Sequence, residues 1–332
     1  MKAVQLRCSI DISLNPLSIE EIPVPIPGTQ QVRVRVAACG VCRTDLHIIE
    51  GDLAPAKRPV IPGHEIVGVV DAVGGGVRSL KVGDRVGIAW LQGTCGVCEF
   101  CRSGRENLCP ASVYTGHTVD GGYAEFAVAP EAFCYPIPAA FGDEEAAPLL
   151  CAGIIGYRAL RLSGIRPGQR LGLYGFGGSA HIAIQVAVHR GCEVFVCSGR
   201  EDHRTFARKL GAAWAGSAAE GPPKPLDAAI LFAPAGELVP PALRALERGG
   251  TLAIAGIHLS PIPPLDYARD LFQERTLRSV TAATRQDALD LLREAAAIPV
   301  RTKTRPFALK DANKALQALK GGRIDGAAVL VP

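Results

Sequence analysis

Between Val32 and Val36, valines alternate with Arg33 and Arg35, the period-two pattern of a strand with one buried face. Glycine and proline punctuate the first 150 residues often, at Pro23, Pro25, Pro27-Gly28, Pro59 and Pro62-Gly63, so this region reads as short strands joined by functional loops. From about residue 165 the texture changes. Residues 170–174 form a short apolar strand, a glycine turn follows, and 180–190 carry helical spacing. A second strand is predicted over 193–197 and a helix over 202–210. Short apolar strands over 228–233 and 251–255 flank a helical stretch over 239–248. Strand and helix alternating in this way predict a parallel sheet covered by helices. Helices over 286–297 and 310–320 and a strand over 327–331 complete the pattern. There is no internal repeat, and 216–225 reads as a Gly/Pro/Ala-rich surface loop rather than a domain linker.

With 332 residues, the chain has room for two domains. Its 48% hydrophobic and 20% charged residues are ordinary for a globular enzyme. The net charge of +4, from 36 basic and 32 acidic residues with no Lys/Arg run, argues against a nucleic-acid partner. The opening MKAVQLRCSI has no long apolar segment after its lysine and does not read as a signal peptide. The longest apolar stretch, 146–157, falls short of the roughly 20 residues that span a bilayer. The expectation is a cytoplasmic protein without a membrane partner. Eleven cysteines change that plain picture, because in a chain of this size clustered thiols point to metal rather than to a disulfide scaffold.

Cys95, Cys98, Cys101 and Cys109 are spaced C-x2-C-x2-C-x7-C. Four thiolates in one short segment match a closed tetrahedral zinc site, whose coordination energy would fold a loop that lacks a core. The spacing also loosely resembles an iron–sulfur ligand run, against which stand the long last gap and the lack of a second cluster. The run Leu173-Tyr174-Gly175-Phe176-Gly177-Gly178-Ser179-Ala180 is G-x-G-x-x-A set between a strand and a helix, with a second strand about twenty residues on, as a dinucleotide fingerprint requires. Gly175 permits the tight turn, Gly177 lets a pyrophosphate approach the helix N-terminus, and Ala180 allows close packing. Cys42, His64 and Cys151 are far apart in sequence and by themselves read as core residues. Cys39 and Cys42 form a CxxC, for which a redox dithiol is the competing reading, although no thioredoxin-like context surrounds it.

Taken together, Gly40-Val41-Cys42-Arg43-Thr44-Asp45, Pro62-Gly63-His64-Glu65, the four-cysteine run, Leu149-Leu150-Cys151-Ala152-Gly153 and the glycine turn resemble the zinc-dependent medium-chain alcohol dehydrogenases of the bacterial and yeast type, over nearly the whole chain. The resemblance implies an α/β protein: a β-rich GroES-like catalytic domain over 1–151 and 284–332, and a doubly wound, parallel-sheet Rossmann cofactor domain over 152–283. It implies two zincs per chain. One is catalytic and open, on Cys42, His64 and Cys151, with Glu65 beside it and Asp45 orienting His64; the other is structural, on Cys95, Cys98, Cys101 and Cys109. It also implies that Thr44 bonds the alcohol and passes its proton through the cofactor ribose to His47, and that Leu53, Trp90 and Ile257 line the substrate pocket. The yeast-type enzymes usually carry tryptophan where Leu53 stands, so substrates longer than ethanol are expected. Relatives pair their cofactor domains edge to edge, which implies a homo-oligomer, a dimer or tetramer.

Two positions depart from the pattern. Ile155 replaces a threonine commonly found beside the nicotinamide, and Ala327 stands where many relatives have an arginine for the pyrophosphate, leaving Arg43 for that contact. At the end of the second strand, NAD-specific members carry an acid; here the position is Ser198, followed by Gly199 and Arg200, as in NADP-dependent members. NADP(H) is therefore expected over NAD(H). The expected activity is hydride transfer between NAD(P)(H) and a primary alcohol or aldehyde. The alternatives are a polyol dehydrogenase, which usually has glutamate at the Cys151 position, a zinc-free enoyl reductase, and a non-catalytic zinc- and nucleotide-binding redox sensor. His117, His181, His189, His203 and His258 show no partner pattern and read as packed or surface imidazoles.

Overall fold

A computed structural model describes residues 1–298 and 300–332. The chain divides into two compact units: Met1–Cys151 with Ala282–Ala296 and Arg301–Pro332, and Ala152–Thr281 with Ala297–Val300.

The first unit is built on a seven-stranded sheet whose long central strand, Gln31–Val41, pairs antiparallel with Glu65–Val73 along one side. On its other side it meets Phe126–Pro130 near its start and Ala327–Val331 near its end. Arg85–Ile88, Cys134–Pro136 and Thr304–Ala308 extend the sheet. The alternation seen in the sequence is carried into the fold, with Val32, Val34 and Val36 buried in the core and Arg35 exposed. Bulges after Arg33 and Val36 let one strand serve different partners along its length. The consequence for function lies at the strand's end. Gly40 stands opposite Glu65, so Cys42 and His64 emerge side by side from two neighbouring strands.

The second unit holds a six-stranded, wholly parallel sheet. Its strands lie in the spatial order Trp214–Gly216, Glu193–Cys197, Arg170–Tyr174, Leu226–Leu231, Leu246–Ile254, Thr276–Ser279. Counted in chain order this is 3-2-1-4-5-6, the doubly wound dinucleotide arrangement. Helix Gly178–His189 follows the first strand and packs on helix Ala152–Ser163. The approach is close at Gly156, where a Cβ would stand 3.0 Å from the Ser179 carbonyl oxygen.

Three details differ from the sequence reading. The helix expected over 239–248 stops at Arg244, because Leu246 is buried opposite Leu226 and starts the next strand early. Trp214–Gly216 is too short to show a period. Thr276–Ser279 is an exposed edge strand without an apolar face, so neither was visible as a pattern.

Candidate active site and metal centres

Helix Arg43–Glu50 begins directly where the central strand ends, and Cys42 caps it. The Cys42 sulfur accepts the Thr44 N–H at 3.2 Å, and Asp45 Oδ2 accepts the Cys42 N–H at 2.9 Å, a reciprocal capping box with cysteine in place of serine. Cys151 follows the turn Ala147–Leu150, which is buried against the two central strands; Gly87 leaves the space that Leu150 fills. The Cys42 and Cys151 sulfurs lie 3.8 Å apart. Two sulfurs each about 2.3 Å from a tetrahedral zinc would stand about 3.8 Å apart. The ligand atoms of Cys42, His64, Glu65 and Cys151 all lie within 4.8 Å of one another.

His64 is fully buried. Its Nδ1 faces Asp45 Oδ1 at 2.9 Å, while its Nε2 has no hydrogen-bond partner. A buried imidazole nitrogen with its lone pair uncommitted, two thiols at ligand spacing and a carboxylate fit a zinc ion, so the residues present suit the metal the sequence implies. The electrostatics agree. Burial alone would lower the His64 pKa, but the charges of Asp45 and Cys42 outweigh it and raise it well above the usual imidazole range. The facing Cys151 thiol and His64 hold Cys42 well below the ordinary thiol value, against the cost of burial. Burial and the Cys42 charge push Glu65 well above the usual carboxyl range. A pocket that draws positive charge onto an imidazole is one that attracts a cation. Glu65 is admitted only because residue 40 is glycine: a Cβ there would lie 1.8 Å from its Oε2.

Thr44 and His47 stand three residues apart on helix Arg43–Glu50, on one face; Thr44 is buried and His47 Nδ1 meets Asp52 Oδ2 at 2.8 Å. Arg43 is exposed. Trp90 stacks on Tyr114 with centroids 4.9 Å apart and meets the His64 ring edge-on at 5.0 Å. His117, which showed no partner pattern in the sequence, lies 5.8 Å from Trp90 and its Nε2 donates to the Ala54 carbonyl at 2.9 Å, one residue beyond the half-buried Leu53. Two further contacts were invisible in the sequence: the Asp52 carboxylate on His47, and the buried Tyr123 hydroxyl, which donates to Asp45 Oδ2 at 3.1 Å.

The second cluster lies on a loop framed by the short antiparallel pair Leu91–Gly93 and Val113–Tyr114. Its sulfurs stand 3.9 Å (Cys95–Cys101), 3.5 Å (Cys98–Cys101) and 3.6 Å (Cys95–Cys109) apart. These separations again suit a tetrahedral tetrathiolate site, and all four ligand atoms fall within 4.8 Å of one another. Disulfide bonding needs about 2.05 Å, and all four cysteines are free. Backbone N–H groups of Val97 and Cys98 point at the Cys95 sulfur and hold its pKa down to about 6.

In the second unit Gly175 adopts φ +88° and a Cβ there would stand 2.8 Å from the Ala233 nitrogen, so the turn after the first strand requires glycine. Gly177 caps helix Gly178–His189, and nothing lies within 4 Å of a Cβ built on it. Ala180 is fully buried. Ser198 follows the second strand, which ends at Cys197, and Arg200 caps helix Glu201–Lys209. The Arg200 guanidinium is paired with Asp202, its Nε donating to Oδ1 at 3.0 Å, and Arg204 donates to the Ser198 carbonyl at 3.0 Å. Ile257 follows strand Leu246–Ile254 and is 57% exposed; Ile155 lies in helix Ala152–Ser163, and Ala327 begins a strand of the first unit.

Two cysteine-based centres in a β-rich unit, joined in one chain to a doubly wound dinucleotide unit, define a zinc-binding dehydrogenase. Residues 28–139 match the alcohol dehydrogenase GroES-like domain family, and residues 178–297 the zinc-binding dehydrogenase family. A protein of Mycobacterium tuberculosis (strain CDC 1551 / Oshkosh) named "Probable alcohol dehydrogenase AdhA" is 54% identical over all of this chain and 97% of its own length. Among solved structures, a cinnamyl alcohol dehydrogenase of Sorghum bicolor superimposes with a TM-score of 0.91 at 30% identity, covering 99% of this chain and 97% of that one. A thermostable alcohol dehydrogenase of Pyrobaculum aerophilum with cobalt and zinc bound gives 0.91 at 26% identity, covering 100% and 99%. The chain belongs to the zinc-dependent medium-chain alcohol dehydrogenase family. No helix among the described residues is long and apolar enough to cross a membrane.

Proposed function

We propose that this dehydrogenase transfers hydride between a primary alcohol or aldehyde and NADP(H), using one of two zincs bound per chain. The observation that carries the reading is the convergence of Cys42, His64, Glu65 and Cys151 around an uncommitted, buried His64 Nε2. Zinc held by Cys42, His64 and Cys151 would supply Lewis acidity toward the substrate oxygen, and the nicotinamide would give or take the hydride. The protein's own groups do the rest. The Thr44 hydroxyl bonds the substrate oxygen and accepts the alcohol proton as it passes its own on, a relay that the bound cofactor's ribose would link to His47. His47, three residues along the same helix face, carries it towards solvent; Asp52 on Nδ1 favours the tautomer in which Nε2 is the basic nitrogen. Leu53 and Trp90, with Ile257, are assigned to the apolar part of the substrate, and Arg43 to the cofactor pyrophosphate. Cys95, Cys98, Cys101 and Cys109 would hold the second zinc, which would order their loop rather than take part in the chemistry. The test is a panel of alcohols and aldehydes with both nicotinamide cofactors, followed by the absorbance of the reduced form. A chain loaded with two zincs that turns over none of them would overturn the assignment.

The cofactor preference rests on Ser198 and Arg200. Ser198 brings no charge to repel a 2′-phosphate, and Arg200 stands at the N-terminus of helix Glu201–Lys209. Its pairing with Asp202 competes, but Arg200 and Asp202 are 52% and 61% exposed, and an ion pair so open to solvent is screened and contributes little. A charge-assisted contact to phosphate is worth roughly 1.5–3 kcal/mol and outweighs it. Arg200→Ala is expected to lower kcat/KM for NADPH on the order of ten- to a hundredfold and to leave the NADH value nearly unchanged. A wild type that favours NADH, or an equal effect on both cofactors, would sink this preference. Self-association is assigned to the open sheet edge at Thr276–Ser279, near which Phe272 is 54% exposed; light scattering that gives a monomer removes it.

A further inference from the structure

Asp45 is the pivot between helix Arg43–Glu50 and His64, and its two oxygens receive three donors from three different segments. Oδ1 takes the His64 Nδ1–H at 2.9 Å. Oδ2 takes the Cys42 N–H at 2.9 Å and the Tyr123 hydroxyl at 3.1 Å. We infer that Tyr123 is a positioning residue of the metal centre, its hydroxyl fixing the plane of the Asp45 carboxylate and through it the direction in which His64 Nε2 points. The inference rests on the reading of Cys42, His64 and Cys151 as zinc ligands.

Several observations single out this tyrosine. A carboxylate's last torsion is intrinsically broad, so its plane is set by its hydrogen-bond donors, and here one donor on each oxygen comes from His64 and from the Cys42 backbone. A second donor on Oδ2, arriving from another segment, narrows that plane further and ties it to a part of the chain that neither Cys42 nor His64 belongs to. Asp45 and Tyr123 are both fully buried, so no solvent is at hand to replace the hydroxyl. Tyr123 also adds no charge. A lysine or arginine in its place would cancel the negative charge that draws the cation, whereas a hydroxyl donates and leaves it. The ring itself is placed independently of the hydroxyl. Gly121, Gly122 and Tyr123 donate their N–H groups to Ile61, Gly63 and Pro62 carbonyls at 2.7, 2.9 and 3.0 Å, and Val4 donates to the Tyr123 carbonyl at 2.8 Å. The ring lies against the residue just before His64, where a Cβ on Gly63 would be 2.3 Å from Tyr123 Cδ1. Phenylalanine at 123 therefore keeps the packing and removes only the oxygen.

The experiment uses the zinc-loaded chain and follows transfer of zinc to a chromogenic chelator, with thermal melting in parallel. In Tyr123→Phe one zinc is expected to leave roughly ten- to a hundredfold faster than in wild type, the other at the wild-type rate, and the melting temperature to stay within a few degrees. In an Asp45→Asn background the same substitution is expected to add nothing, because the hydroxyl acts through Asp45. Wild-type release of both zincs from Tyr123→Phe overturns the inference, as does an equal acceleration of both or a full further acceleration in the Asp45→Asn background. A wild type that binds a single zinc overturns instead the metal reading beneath it.

Discussion

Cys42→Ser and Cys151→Ser are each expected to abolish turnover while leaving the chain folded and one zinc lighter. Lewis-acid assistance to the substrate oxygen is worth several kcal/mol, and at about 1.4 kcal/mol per factor of ten its loss lowers kcat by at least about 10³-fold. The fold has little reason to follow. Cys42 is half-buried at the junction of a strand and a helix, and a serine there still accepts the Thr44 N–H as a helix cap. Cys151 ends the turn Ala147–Leu150, whose four buried residues keep their packing without the sulfur. Circular dichroism and melting should match wild type, metal analysis should fall from two zincs to one, and alcohol-dependent reduction of the cofactor should vanish. A Cys42→Ser chain that is folded, has lost that zinc and still turns over alcohol at near the wild-type rate would place the chemistry elsewhere.

The contrast between the two centres also marks what a sequence can carry. The four cysteines of the 95–109 loop were readable because all the ligands fall within fifteen residues, so spacing alone describes the site. The glycine turn was readable for the same reason: the left-handed backbone at Gly175 and the open approach at Gly177 are local demands on a few successive residues. Cys42, His64 and Cys151 meet only because Gly40 pairs with Glu65 across two strands and because Ala147–Leu150 packs beneath them. No spacing encodes that, and only likeness to a family picked those residues out.

The contacts that hold the site were harder still to see. Tyr123 sits in Gly121-Gly122-Tyr123-Ala124-Glu125-Phe126, which reads as glycine turn followed by core, and nothing in that run names Asp45 as the acceptor of its hydroxyl. Asp52 lies five residues beyond His47, past the end of the helix, and reaches it only because the chain turns at Gly51, φ +93°. Arg200 was visible as a cation beside the second strand, but its pairing with Asp202 depends on side-chain geometry that the letters do not fix. Missed strands follow the same logic. Thr276–Ser279 has its place from the neighbour it pairs with and not from a pattern of its own.

Removing the closed centre is expected to act on stability where removing the open one acts on rate. The 95–109 loop has almost no core: helix Glu99–Arg102 has no buried residue, and Val97 is 65% and Leu108 39% exposed. Cys109, Glu106 and Asn107 are its buried anchors, and Glu106 binds the Arg285 backbone and guanidinium at 3.0 and 2.9 Å. With so little apolar area, the loop would draw its ordering energy from metal coordination if the four cysteines hold zinc as proposed. Cys98→Ser or Cys101→Ser therefore falls among the few mechanisms that cost about 4–5 kcal/mol, a drop in melting temperature on the order of 10 °C for a unit of this size. Acid should do the same by protonating the thiolates. Cys95 is held at about 6, below the 9.0 of an ordinary thiol, so its contribution is in place above the ordinary thiol range and is lost as pH falls through about 6. Early proteolytic cleavage should appear within 95–109 in either variant or at acid pH, before the rest of the chain is attacked. A Cys101→Ser chain that melts with wild type and resists protease in that loop would show that the loop does not depend on its metal.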